Sequence, residues 1–126
     1  MSLRTPLGRV RGSGAAHTGT DHFWRQRLTA VANVPLTIAG IVIVLSLLTR
    51  NHAATTQVLG SPPVAIILLL FVLSVTYHMR IGMQVVIEDY VHEDRMKLTL
   101  IMLNWFYATA IFVACAFAVL KLSFGV

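Results

Sequence analysis

PPVAIILLLFVLSVTYHMRIGMQVVI, residues 62–87, decides the fold. The stretch is apolar almost throughout and holds a single charge, Arg80. A helix rising ~1.5 Å per residue needs ~20 such residues to cross ~30 Å of hydrocarbon, and this run is long enough. Lipid offers the backbone no hydrogen-bond partner, so a run that spans it must be helical. Pro62 and Pro63 stand where the first turn of a helix tolerates proline. Two further runs, residues 28–48 and 98–120, carry no charge and read the same way. Pro35 marks the place where the first of them could kink. The expectation is an all-α integral membrane protein with three transmembrane helices behind a short N-terminal arm, residues 1–27.

The composition agrees with a lipid solvent. Apolar residues make up 56% of the 126-residue chain and charged ones 12%, about half the charged share of soluble domains (~25%), so a soluble enzyme and a disordered tail are poor readings. A net charge of +5 could point to nucleic acid, but the basic residues do not cover a polar domain. Arg4, Arg9, Arg11, Arg25 and Arg27 all precede the first long apolar run. Arginines massed before a first span set orientation: the arm and the loop at 88–97, with Arg95 and Lys97, read as cytoplasmic. The loop at 50–61 and the C-terminus then read as periplasmic, in the inner membrane of a cell. No short apolar stretch precedes residue 28, so the arm is expected to stay in the mature chain rather than leave as a signal peptide. Cys115, alone within an apolar run, excludes an internal disulfide and any cysteine-based metal cluster and reads as a small hydrophobe.

Ionisable groups inside a span are costly and face a partner or a cavity. His78 lies ~24 Å along the second run, in the inner half of the bilayer. Its imidazole can be read as a hydrogen-bonded contact between helices, or as a lone pair offered to a metal such as haem iron. Gly82, one turn on, leaves room on the same face for a flat macrocycle or for a close helix. Asp89, eleven residues on and close to three turns, returns to that face. Tyr90 ends the run at the membrane interface, as an aromatic-belt residue or as a phenol that hydrogen-bonds a lipid-soluble carbonyl compound. Arg80 sits about 200° round the helix from His78 and reads first as a structurally paired cation. His17, His22, His52 and His92 read as solvated or capping residues, and Trp24 and Trp105 as belt or packing residues.

His78-x-x-x-Gly82 followed by Asp89-Tyr90, behind an arm ending His22-Phe23-Trp24-Arg25-Gln26-Arg27-Leu28-Thr29-Ala30, resembles the D-type cytochrome b membrane anchors of succinate:quinone oxidoreductases. The resemblance covers nearly the whole chain, and its third run matches only in being apolar. It implies that His78 is an axial ligand of haem b, with the other ligand on a second, larger anchor subunit in a shared helical bundle. It implies that Tyr90 hydrogen-bonds ubiquinone with Asp89 beside it for proton delivery, and that Arg27 lies near the haem propionates. A guanidinium fork suits a propionate on independent grounds. Flavin and iron–sulfur clusters would belong to a flavoprotein subunit and an iron–sulfur subunit, since neither a phosphate-cradling glycine loop nor a cysteine set is present in the sequence. The expected role is non-catalytic toward succinate: to anchor the complex and pass electrons to quinone. The alternatives are a haem-free structural anchor and the anchor of a quinol:fumarate reductase.

Overall fold

The structure is a computed structural model that describes residue 3, residues 5–11 and residues 19–125. Five helices account for most of these: α1 (Pro6–Arg11), α2 (Gly19–Leu47), α3 (His52–Gly60), α4 (Pro62–Tyr90) and α5 (Asp94–Phe124). No strand occurs among the described residues. Helices α2, α4 and α5 are each long and apolar enough to cross a membrane, as the three apolar runs predict.

All three long helices outrun the apolar stretches. At 29, 29 and 31 residues they are ~43–46 Å long, against ~30 Å of hydrocarbon. Helix α2 extends N-terminally through Arg27, Arg25 and Asp21 to Gly19, so the last part of the expected arm is helical. Polar side chains end an apolar run without ending a helix, because their intrinsic helix propensities differ little from those of apolar residues. Pro35 does not interrupt α2. The loop at 50–61 holds α3, opened by Asn51, whose side-chain oxygen accepts from the Ala54 N–H at 2.9 Å. Ser61 closes α3 and opens α4, with Pro62 and Pro63 in the first turn. Gly125 ends α5 in the left-handed conformation (φ 67°), and its N–H donates to the Lys121 carbonyl.

Helix α4 is central and packs against both α2 and α5, while α3 lies mainly against α5. Residues 26, 29 and 40 of α2 meet residues 82, 78 and 71 of α4, so the two run antiparallel. The three residues 91–93 turn the chain from α4 into α5. Few side chains are buried: Ala65, Thr76, Ile81 and Ile87 on α4, and Asn104, Ala108 and Val119 on α5. Lipid tails are as apolar as leucine and give no hydrophobic drive to helix pairing, so close contact depends on small residues and polar links. Gly60 is the tightest approach: a Cβ there would lie 2.5 Å from the carbonyl oxygen of Leu122. Gly60→Ala is therefore expected to push α3 off α5 and to destabilise the protein by about 1–3 kcal/mol. A thermal unfolding series in detergent should show an earlier transition for Gly60→Ala than for wild type.

Candidate functional site

The polar groups within the spans converge on one turn of α4. His78 is half-buried, and its Nδ1 lies 3.0 Å from the Thr29 hydroxyl of α2. Thr29 Oγ1 is also 2.8 Å from the Arg25 carbonyl and 3.0 Å from the Gln26 carbonyl in its own helix. One turn earlier on α4, the Ser74 hydroxyl donates to the Thr29 carbonyl at 3.4 Å. On the other side of His78, Arg25 donates through Nη1 to the Tyr77 hydroxyl oxygen at 3.2 Å. Four contacts thus tie this stretch of α2 to residues 74–82 of α4, the last being Gln26 against Gly82.

Two grooves lie along the α2–α4 seam. One, of 390 Å³, is lined by His22, Phe23, Gln26, Arg27, Ile81 and Val85, toward the polar end of α2. The other, of 540 Å³, is almost wholly apolar, with Leu28, Ala32, Leu36 and Leu70 among its walls and Thr29 and Tyr77 at its edge. Gly82 does not open directly onto either. A Cβ built on it would stand 3.4 Å from Gln26 Nε2, so the missing side chain admits the Gln26 amide of α2. The oxygen of that amide is buried and has no hydrogen-bond partner. Arg27 is exposed, with its guanidinium 4.2 Å from the centre of the Phe23 ring. Asp89 and Tyr90 are exposed at the end of α4, and Tyr90 keeps 78% of its surface open. They lie ~17–18 Å along the helix from His78. His78 itself lines neither groove, and Tyr90 and Asp89 form a separate, open station at the end of α4.

Helix α5 binds the opposite side of the same turn. The Arg80 guanidinium stacks 3.7 Å from the centre of the Trp105 ring and 4.5 Å from that of Tyr77. Its Nε is buried without a hydrogen-bond partner. Arg80 forms no ion pair among the described residues, so the expected structural partner is a pair of aromatic faces rather than a carboxylate. Such faces attract a cation by ~2 kcal/mol when the contact is dry. Buried Asn104 donates through Nδ2 to the Arg80 carbonyl at 2.8 Å, one turn of α5 below Ala108. Sequence reasoning placed His78 and Arg80 but passed over Thr29, Gln26, Tyr77 and Asn104. Their signal is a polar side chain within or beside an apolar run, where each must find a partner.

No group of three or more metal-ligating side chains occurs among the described residues. Trp105→Leu is expected to weaken α4–α5 packing by about 0.5–2 kcal/mol, and Trp105→Phe by less, since a phenyl face still attracts the cation. Denaturation midpoints of the two variants in the same detergent check that order.

Comparison with known proteins gives the frame for this site. The profile of the family described as "Succinate dehydrogenase/Fumarate reductase transmembrane subunit" matches residues 1–114. The chain is 28% identical over 125 residues to the succinate dehydrogenase hydrophobic membrane anchor subunit of Paracoccus denitrificans, covering 99% of this chain and 96% of the relative. It is 31% identical over 99 residues to the protein of the same description from Rickettsia bellii, covering 79% of each. No solved structure matches the chain.

Proposed function

Because the chain belongs to the family of succinate dehydrogenase/fumarate reductase transmembrane subunits, we propose that it completes a haem b site and a ubiquinone site together with a second anchor subunit. It is a multi-pass membrane anchor subunit of succinate dehydrogenase. The observation that carries the finer reading is the state of His78: a half-buried imidazole at a helix seam, with one nitrogen engaged by Thr29 of α2. The residues present fit part of a haem site: the His78 imidazole would offer iron one ring nitrogen, and Arg27 with His22 lines the groove at the polar end, where propionates would find a cation. Haem bound there would supply a one-electron store between the iron–sulfur partner and the quinone.

This chain's own contributions follow from its chemistry. His78 would hold iron through a ring nitrogen, and Arg27 would offset the propionate charge. Tyr90, at the open end of α4, donates its phenolic hydrogen to a ubiquinone carbonyl oxygen. That bond strengthens as the oxygen gains negative charge during reduction, which favours the transition state over the bound substrate. Asp89, beside it, accepts a proton from water and passes it on as quinol forms. Reduction takes two electrons from succinate oxidation on the partner subunits and two protons from the side on which Tyr90 stands. The arginines of the N-terminal segment support a cytoplasmic position for that side and for the N-terminus, with the C-terminus in the periplasm of the inner membrane.

A second reading draws on the same contact: Thr29 and His78 satisfy each other as a helix–helix link with no iron present. His78→Leu separates the two. Under the haem reading the purified complex loses or alters its low-spin b-type absorbance while succinate oxidation by an artificial acceptor continues. Under the packing reading the spectrum is that of wild type. The quinone station has its own test in Tyr90→Phe, which keeps the ring and removes the donor. Quinone reductase activity is expected to fall at least tenfold, with dye-linked succinate oxidation and assembly intact. Wild-type quinone turnover in that variant would reduce Tyr90 to a belt residue.

A further inference from the structure

The Thr29 hydroxyl has one proton and three close neighbours. Two are main-chain carbonyl oxygens, of Arg25 at 2.8 Å and Gln26 at 3.0 Å, and the third is His78 Nδ1 at 3.0 Å. A carbonyl has no hydrogen to give, so a hydroxyl oxygen held that close to two of them must point its own proton at them. The lone pairs of Oγ1 are left facing His78, and the bond there can form only if Nδ1 carries the hydrogen. A neutral imidazole has one N–H, which leaves Nε2 as the bare lone pair.

We infer that Thr29 is a positioning residue for haem binding: it accepts the Nδ1–H of His78, fixes the tautomer that presents Nε2 to iron, and raises the basicity of that nitrogen. Ligating histidines as a rule donate their second ring nitrogen to an acceptor that holds the ring and tunes the metal, and Thr29 is the acceptor this chain supplies. The threonine is itself fixed. Its hydroxyl is anchored to its own helix, and its carbonyl accepts from Ser74, one turn before His78 on α4. The imidazole is therefore oriented by a helix that carries no ligand of its own. This inference rests on the proposal that His78 binds haem, and adds to it a specific direction of the Thr29–His78 hydrogen bond.

The test uses the intact, purified complex with Thr29→Val, which keeps the shape of threonine and removes the acceptor, and Thr29→Ser, which keeps the acceptor. Removing an acceptor from Nδ1–H makes the imidazole a weaker donor to iron and disfavours the ferric state. Thr29→Val should raise the haem midpoint potential, by about 59 mV for a tenfold loss of ferric preference. It should also lower haem retention by 10–100-fold, the usual effect of losing such a partner. Thr29→Ser should return both toward wild type. A Val variant with wild-type potential, ferric electron-paramagnetic spectrum and haem content overturns the role of Thr29 and leaves His78 ligation standing. A His78→Leu complex with an unaltered b-type spectrum overturns both. Should Thr29→Val fail to assemble, Thr29→Ala takes its place against Thr29→Ser: a raised potential in Ala with wild-type values in Ser supports the role, and equal potentials in the two overturn it.

Discussion

One turn of α4 holds the three spans together, and lipid is the reason it must. Helices in a bilayer gain nothing from hiding apolar surface from one another, so their pairing depends on close packing and on polar contacts. In this chain the polar contacts gather at residues 77–80. Tyr77 and His78 reach Arg25 and Thr29 on α2, while Arg80 reaches Trp105 and Asn104 on α5. Beyond the Ser74 hydroxyl, which lies one turn away and donates to the Thr29 carbonyl, close contacts continue at Phe71 against Gly40 and Leu122 against Gly60. The structural lock and the candidate ligand thus occupy the same turn. A histidine at that place has its orientation set by the contact that joins the helices.

The spans were legible because their signal is long and redundant. A run such as residues 62–87 can lose several residues of evidence and still read as a crossing. Helix ends were less legible: α2 continues through Arg27 and Arg25, where hydropathy falls but helix propensity does not. Helix α3 escaped notice for a similar reason, since His52–Gly60 is too short and too polar to register, although Asn51 stands before it as a good N-cap. His78 and Arg80 stood out within the second run as titratable groups in an apolar stretch. Their partners did not. Thr29, Tyr77 and Asn104 are unremarkable one at a time, and only the antiparallel register of α2 and α5 against α4 brings them to those two residues. Gly82 shows the same limit from the other side. A glycine one turn from a histidine permits a macrocycle or a neighbouring helix, and the pairing of α2 with α4 brings the Gln26 amide to it.

Arg80 illustrates how a membrane protein handles a cation without a carboxylate. Between the faces of Tyr77 and Trp105 the guanidinium meets two negative quadrupoles, and it brings no acidic group into the span. An ion pair at this depth would require two desolvated charges, a cost that the attraction between them need not cover. The aromatic cage desolvates only one. It also leaves Arg80 on the α5 side of α4, away from the face of His78, so the cation and the candidate ligand do not compete for the same space.

The division of α4 into two sides explains why this chain reads as half of a site. On the α5 side the polar groups mostly satisfy one another: Asn104 meets the Arg80 carbonyl, and Arg80 meets its rings. On the α2 side the groups that matter for the proposed chemistry are left partly open. Gln26 has a buried oxygen with no partner, and Arg27 and His22 line a groove. A second helical subunit laid along the α2–α4 seam would cover the two grooves. The two grooves and the open groups along α2 make that seam a candidate face for a partner subunit, while on the α5 side the Arg80 Nε is left without a hydrogen bond.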